Sequence, residues 1–164
     1  GKGLRSLAGL ALVFHDKTLP APTRPLPRYL DLGLYLGRGV PFTLPSNLVT
    51  ALCLALENLV PDNRYREIRQ ACDWLCPQLQ AACLNPLAAE PVRFPGAITI
   101  PLPAPVDACE LGQSLQRLGW LLSFQSPYLI TRNWIQICLL GRTERSDLEP
   151  LPRLLAKLVH SRET

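Results

Sequence analysis

Six cysteines and two histidines are among the side chains of this 164-residue sequence that could bind a metal, and the cysteines could also form cross-links. Cys53, Cys83 and Cys138 lie in apolar segments where alanine, valine or leucine would also fit, which favours buried reduced thiols over disulfides. Cys72 and Cys76 are one helical turn apart, but no second pair follows at metal-ligand spacing, and both histidines are remote in sequence. The cysteines therefore predict a reduced, cytoplasmic protein without a metal site.

A second kind of chemistry starts from the lysine at position 2. A lysine amine can condense with an aldehyde and, once released, can act as a general acid or base. By itself, Lys2 would be a solvated charge near the start of the sequence. It is followed, however, by Gly9, Ala11 and Val13, which are a glycine, a small residue and an apolar residue at alternate positions.

This lysine segment resembles the class V branch of the fold-type I pyridoxal-phosphate-dependent enzymes, in which a Gly-x-small-x-apolar sequence follows the cofactor lysine. Residues 28–32 (RYLDL) and 39–46 (GVPFTLPS) are similar to a second segment of that family. The resemblance implies that Lys2 is the catalytic lysine that holds pyridoxal 5'-phosphate. It also implies a homodimer in which Thr43 reaches the cofactor phosphate of the neighbouring subunit. The alternative for Thr43 is a turn hydroxyl that caps the next helix.

The position expected to bind substrate departs from the family pattern. Many relatives carry an arginine in the penultimate strand that holds the substrate carboxylate through two hydrogen bonds. When the family segment is aligned on Gly141, Gln136 occupies that position, and a glutamine supplies no charge. Arg132, four residues upstream, is a candidate for the missing charge, although it could equally be a loop residue. Substrate contacts are therefore expected at Gln136 and Arg132.

The elements that would position these residues begin with an apolar run and a proline-rich connection. Residues 10–14 form a short continuous apolar run, typical of a strand buried on both faces. Residues 18–27 contain four prolines and are expected to form a surface connection. Apolar residues at helical spacing predict a helix over residues 46–60 with Ser46 as its N-cap. The resemblance implies that residues 1–45 are a remnant of the large cofactor-binding domain and its connection, and that residues 46–60 are an interdomain helix.

Residues 61–164 are expected to form a small C-terminal α+β domain. Periodicity predicts three helices and three strands, with the helices over residues 62–84, 107–118 and 146–159 and the strands over 97–102, 120–124 and 134–139. Asp107 with Glu110, and Ser146 with Glu149, have the spacing of capping boxes, and Pro77 is expected to kink or divide the first helix. The order predicts a mixed or antiparallel sheet with helices on one face. With the resemblance, this is the α/β fold of a fold-type I transferase in its C-terminal part.

Composition excludes several classes of protein. Hydrophobic residues make up 48% of the sequence and charged residues 18%, which is ample apolar content for a folded core. No apolar run reaches the roughly 20 residues of a membrane span. The net charge of +4 is scattered, and basic residues do not cluster beside Trp120, Phe124 and Trp134, so an RNA-recognition module is disfavoured. The sequence has no methionine and starts at Gly1, which suggests a piece of a longer protein.

Two functions of different kinds follow. The first is the C-terminal part of a class V aminotransferase-like enzyme that moves an amino group between an amino acid and a 2-oxo acid. Epimerase, lyase and desulfurase activities stay open, and desulfurase is disfavoured because the cysteines lie in apolar elements. The second is a catalytically inert domain that only packs or dimerises. This chain alone is expected to be inactive, because the family's N-terminal half carries most cofactor ligands.

Overall fold

A computed structural model of the chain describes residues 3–16, 18–19, 21–39, 41–59, 63–141 and 144–161. These residues divide into two units, Gly1–Pro61 and Asp62–Thr164. No helix in the described ranges is both long enough and apolar enough to cross a membrane.

The first unit contains a 3-10 turn and two helices. The 3-10 turn is Arg28–Leu30, α1 is Leu32–Arg38 and α2 is Ser46–Leu59. The Asp31 carboxylate caps α1 by accepting a 2.9 Å hydrogen bond from the Gly33 N–H. The predicted helix over residues 46–60 is therefore present as α2. Ser46 is its first helical residue instead of its N-cap, since the Pro45 carbonyl accepts the first backbone hydrogen bonds.

Residues 10–14 do not form the predicted strand. Leu12, Val13 and Phe14 are 59%, 53% and 93% exposed. An apolar run becomes a strand only where a neighbouring strand pairs with its backbone N–H and C=O groups. The two strands found in the described part of the chain pair with each other, so this run has no such neighbour there.

The second unit is built around a two-stranded antiparallel sheet. Strand β1 is Ala97–Pro101 and strand β2 is Trp134–Cys138, with Thr99 opposite Gln136 in the register. The predicted third strand over residues 120–124 is reduced to a single bridge, in which the Ser123 N–H and C=O exchange hydrogen bonds of 2.9 and 2.8 Å with Gln136. The antiparallel pairing agrees with the predicted α+β arrangement.

Five helices accompany this sheet in the described ranges: α3 Arg64–Ala81, α4 Ala108–Arg117, α5 Pro127–Arg132, α6 Arg145–Leu148 and α7 Leu151–His160. Alternate strand residues point to opposite faces, and the isoleucines of both strands point to the same buried face. They share one core with apolar residues of α3, α4, α6 and α7, including Leu75, Leu79, Leu111, Leu115, Leu148, Leu151 and Leu155. The helices therefore cover one face of the sheet and leave the other face half-buried.

Local signals placed most of these helices. Asp107 caps α4 as predicted, since its Oδ1 accepts a 2.9 Å hydrogen bond from the Glu110 N–H. Pro77 lies inside α3 without dividing it. The predicted helix over residues 146–159 is instead two helices, because Pro150 and Pro152 have no N–H to donate. Its capping box is formed by Glu144 and Asp147, two residues earlier than predicted.

All six cysteines are free thiols, but only some are buried. Cys72 and Cys76 are buried on α3, with their sulfur atoms 3.8 Å apart. Cys53, Cys83 and Cys138 are exposed, so the expectation that they are buried was wrong. Cys53 lies on α2, none of whose residues is buried, and Cys138 ends β2 on the face opposite the core. An apolar local sequence did not reveal which face of its element each thiol occupies.

Candidate functional site

The four predicted site residues fall in different parts of the chain. Lys2 lies outside the described residues. Thr43 belongs to the first unit, whereas Gln136 and Arg132 belong to the second. No group of three or more His, Cys, Asp or Glu side chains in the described ranges is arranged to hold a metal ion.

Thr43 is exposed on the loop that leads into α2. The residue before it, Phe42, packs its ring against Tyr29 and Tyr35, with ring centroids 5.1 and 5.8 Å apart. The Tyr35 hydroxyl donates a 3.0 Å hydrogen bond to the Tyr29 carbonyl. Desolvation first, and then the neighbouring Tyr29 phenol, raise the pKa of Tyr35, so this hydroxyl remains a donor. These contacts brace the loop that presents Thr43 to solvent.

The two interpretations of Thr43 differ in the position of the helix start. The N-cap position of α2 is Pro45, whose carbonyl accepts hydrogen bonds from Leu48 and Val49 at 3.1 and 3.2 Å. Thr43 is two residues earlier and does not occupy that position. One exposed hydroxyl on a braced loop fits a single contact to a phosphate.

The half-buried face of the sheet carries the second group of residues. We call Thr99, Ser123, Trp134 and Gln136 the outer sheet face, because they point away from the isoleucine core. The Gln136 side-chain Nε2 donates a 2.9 Å hydrogen bond to the Thr99 hydroxyl. The backbone of Gln136 pairs with β1 on one side and with Ser123 on the other. The Gln136 side-chain amide is thus positioned by its bond to Thr99 and by a backbone that is paired with β1 and with Ser123.

Arg132 is the last residue of α5 and is exposed. Its guanidinium carbon lies 4.0 Å from the centroid of the Tyr128 ring and 5.5 Å from that of Trp134. The two rings meet edge to face with centroids 5.9 Å apart. Such contacts hold a guanidinium flat against an aromatic face while its N–H edges stay accessible. The ion pair found among the described residues joins Arg145 to Glu149, so Arg132 has no carboxylate partner there.

Trp134 connects the two candidate substrate residues. It contacts the Arg132 guanidinium and lies on the same strand face as Gln136, two residues away. Alternate residues of a strand are about 6.5–7 Å apart. Gln136 and Arg132 are thus linked through Trp134. Whether they bind substrate stays a prediction.

Asn133 is a residue of this region that sequence reasoning missed. It adopts a left-handed conformation, with φ 55° and ψ 49°, between α5 and β2. Its Oδ1 accepts a 2.8 Å hydrogen bond from the Ala108 N–H, and its Nδ2 donates a 2.7 Å bond to the Val106 carbonyl. An asparagine between a helix and a strand is a recognisable signal for such a turn. Asn133 positions both Arg132 and Trp134.

Thr99 was also missed, although its position could have been predicted. It alternates with two isoleucines in β1, so period-two alternation places it on the opposite face from them. No signal in the sequence indicated that its hydroxyl would meet the amide of Gln136, because the strands that carry them are separated by more than thirty residues.

No protein-family model matches this chain, and no curated protein is similar to it in sequence. Solved structures are similar in fold. An alanine–glyoxylate aminotransferase from Nostoc sp. superposes with a TM-score of 0.60 over 77% of this chain at 20% identity. An aspartate aminotransferase of subgroup IV from Thermus thermophilus gives 0.64 over 85% at 19% identity. An 8-amino-7-oxononanoate synthase from Francisella tularensis gives 0.59 over 74% at 17% identity.

The chain has the fold of part of a fold-type I pyridoxal-phosphate-dependent transferase. It spans 35%, 41% and 35% of the lengths of these three structures, respectively. The match supports the fold-type I resemblance seen in the sequence, and it does not distinguish class V from other branches of that fold.

Proposed function

We propose that this chain is the C-terminal part of a class V aminotransferase-like enzyme that moves an amino group between an amino acid and a 2-oxo acid. The observation that carries the proposal is the similarity in fold to two aminotransferases over 77% and 85% of the chain. The lysine segment at residues 2–13 and the GVPFTLPS segment at residues 39–46 support it independently. The enzyme is proposed to be a cytoplasmic homodimer that uses pyridoxal 5'-phosphate.

Each candidate residue has a distinct role in this proposal. When bound, pyridoxal 5'-phosphate supplies an electron sink that makes the substrate Cα–H acidic. Lys2 would hold the cofactor through its amine and would move the Cα proton as general acid and base. Thr43 would donate its hydroxyl hydrogen to the cofactor phosphate of the neighbouring subunit. Gln136 and Arg132 would orient the substrate from the outer sheet face.

The role of Lys2 is tested in the whole polypeptide that carries this sequence. We expect Lys2→Ala to abolish both the visible absorbance of lysine-bound pyridoxal phosphate and amino transfer from a panel of amino acids to 2-oxo acids. Lys157→Ala is the matched control, because Lys157 is an exposed lysine on α7 and should leave both signals unchanged. Amino transfer that survives Lys2→Ala would contradict the proposal.

A catalytically inert packing or dimerisation domain is the second candidate function. Several apolar side chains of the first unit are exposed, among them Leu12, Phe14, Leu44 and Leu54. Surfaces of this kind favour association. We expect the 164-residue chain alone to give no stable pyridoxal-phosphate absorbance band. A strong band that Lys2→Ala removes would show instead that this chain binds the cofactor alone, and light scattering would report its oligomeric state.

One structural observation bears on the other class V activities. Cys138 is exposed and lies two residues from Gln136 on the same side of β2. A desulfurase was disfavoured because the cysteines lie in apolar elements, and Cys138 does lie in strand β2, but its thiol is exposed. Sulfide release from cysteine by the whole polypeptide, lost in Cys138→Ala but retained in Cys53→Ala, would favour desulfurase over aminotransferase activity.

A further inference from the structure

We propose that Arg132, Gln136 and Thr99 form a binding site for a small carboxylic acid that carries a neutral hydrogen-bonding group, a hydroxyl or a carboxamide, at its other end. The proposal deepens the proposed function, since the acid would be its substrate. The binding site itself is argued from the second unit alone and requires no cofactor.

The carboxylate end is assigned to Arg132. An arginine has five N–H donors, and the guanidinium of Arg132 uses one of them for a long 3.5 Å contact to the Tyr128 carbonyl. Stacking on Tyr128 and contact with Trp134 limit the movement of the guanidinium. A flat, restrained guanidinium without a carboxylate partner among the described residues can bind a carboxylate with two parallel hydrogen bonds.

Another stacked arginine of the second unit provides a control for Arg132. Arg145 also stacks on an aromatic ring, with its guanidinium carbon 4.9 Å from the centroid of Trp74. Its Nε, however, lies 3.7 Å from an oxygen of Glu149. Both guanidinium groups are thus stacked, but of the two only Arg145 has a carboxylate partner among the described residues. Arg145 therefore serves as the matched control for Arg132.

The neutral end is assigned to Gln136 and Thr99. One Nε2 hydrogen of Gln136 is donated to the Thr99 hydroxyl, and no other described residue is found to bond the second hydrogen or the Oε1. The Thr99 hydroxyl, which accepts this bond, can still donate its own hydrogen. The pair therefore offers donors and an acceptor without any formal charge.

The absence of charge at this end decides the ligand class. A carboxamide or hydroxyl on the ligand can both donate to Oε1 and accept from an N–H or O–H. A second carboxylate could only accept hydrogen bonds, so it would leave the Gln136 Oε1 without a donor. A plain alkyl end would leave the polar groups of Gln136 unpaired in the complex. Glutaramate, which has one carboxylate and one carboxamide, is the simplest probe of this class.

The test is a nuclear magnetic resonance titration of the isotope-labelled chain. Glutaramate is compared with glutarate, butyrate and the uncharged glutaramide, at constant ionic strength. We expect glutaramate to shift the Arg132 Nε–H and the Gln136 side-chain amide in a saturable way. We expect butyrate to bind about fivefold more weakly, because it lacks the hydrogen bonds to Gln136. Glutaramide should bind at least about tenfold more weakly, because it lacks the charge-assisted pair with Arg132.

Three variants separate the parts of the site. Arg132→Gln should weaken glutaramate at least about tenfold, since it removes the charge-assisted bonds. Gln136→Ala should remove the preference for glutaramate over butyrate while the Arg132 shift persists. Arg145→Gln should change neither result. Backbone amide spectra of each variant show whether it is folded, and any variant that is not is replaced by Arg132→Met or Gln136→Leu.

Three outcomes would overturn the proposal. In the first, Arg132→Gln leaves the affinity for glutaramate unchanged. In the second, inorganic phosphate binds more tightly than any of the carboxylates. In the third, glutarate binds more tightly than glutaramate. The readout is independent of the proposed enzyme. Binding without amino transfer in the whole polypeptide would defeat the proposed function alone, and amino transfer with an unresponsive Arg132 would defeat only this inference.

Discussion

Replacing Asn133 with alanine would remove the residue that holds the turn between α5 and β2. Asn133 has a left-handed backbone, and its side chain makes hydrogen bonds of 2.8 Å to the Ala108 N–H and 2.7 Å to the Val106 carbonyl. Both bonds join the turn to the start of α4. The turn also directs Arg132 and Trp134 toward the outer sheet face. The substitution should therefore affect both the stability of the second unit and the geometry of Arg132.

The expected magnitude follows from three losses. Each intramolecular hydrogen bond contributes about 1 kcal/mol, and each buried partner left unpaired adds to the cost. A left-handed conformation costs alanine about 1 kcal/mol more than it costs glycine or asparagine. We therefore expect Asn133→Ala to lower the free energy of unfolding by about 3 kcal/mol. Asn133→Gly removes the same bonds but tolerates the backbone, so we expect about 2 kcal/mol.

Urea denaturation, followed by circular dichroism and by tryptophan fluorescence, measures both variants. Coincidence of the two transitions shows whether a two-state free energy applies. The Arg132 Nε–H resonance should also move in both variants, since the turn positions that side chain. A loss below about 1 kcal/mol in Asn133→Ala, or a glycine variant less stable than the alanine variant, would refute this account of the turn.

Two further predictions concern the core of the second unit. A Cβ added at Gly112 would lie 2.3 Å from the ring of the buried Phe124, so Gly112→Ala should lower the free energy of unfolding by about 1–3 kcal/mol. In urea denaturation the loss should shrink in the Phe124→Leu background, and an equal loss there would contradict the steric explanation. Burial first, and then the neighbouring Cys72, raise the pKa of Cys76 from 9.0 to about 12. Above pH 9 the unfolded thiol ionises while the folded one does not, so stability should fall as the pH rises from 9 toward 12. Thermal denaturation across this range should show a smaller fall in Cys76→Ala, and equal falls would contradict burial as the cause.

Elements with strong local signals were predictable from the sequence, and elements that depend on distant partners were not. The Asp107 cap and the following periodicity lie within one segment, so α4 could be predicted nearly to its ends. Residues 10–14 and 120–124 have apolar sequences typical of strands. A strand forms only through hydrogen bonds to another segment. In the described structure, residues 120–124 make such strand pairing at Ser123 alone.

The candidate site shows the same division. Alternation along β2 was enough to place Gln136 opposite the buried isoleucines. The surroundings of Arg132 depend on α5, which was not among the predicted helices, and on the left-handed turn at Asn133. A helix of six residues has too few periodic positions to stand out, although Ser126 followed by Pro127 is a recognisable helix start. Its contact with Trp134 could not be inferred from spacing.

The separation of charge from hydrogen bonding on the outer sheet face follows from these placements. A charged side chain at position 136 would project from the sheet beside the Thr99 hydroxyl. At this position the backbone of β2 is paired with β1 on one side and with Ser123 on the other. The glutamine keeps that position neutral and uses it for hydrogen bonds. The guanidinium of Arg132 lies instead against Tyr128 and Trp134 at the end of α5, where the negative end of the helix dipole favours a cation. Charge and hydrogen-bonding groups thus occupy separate places on one surface, which is why a ligand with one charged and one neutral polar end matches it better than a dicarboxylate.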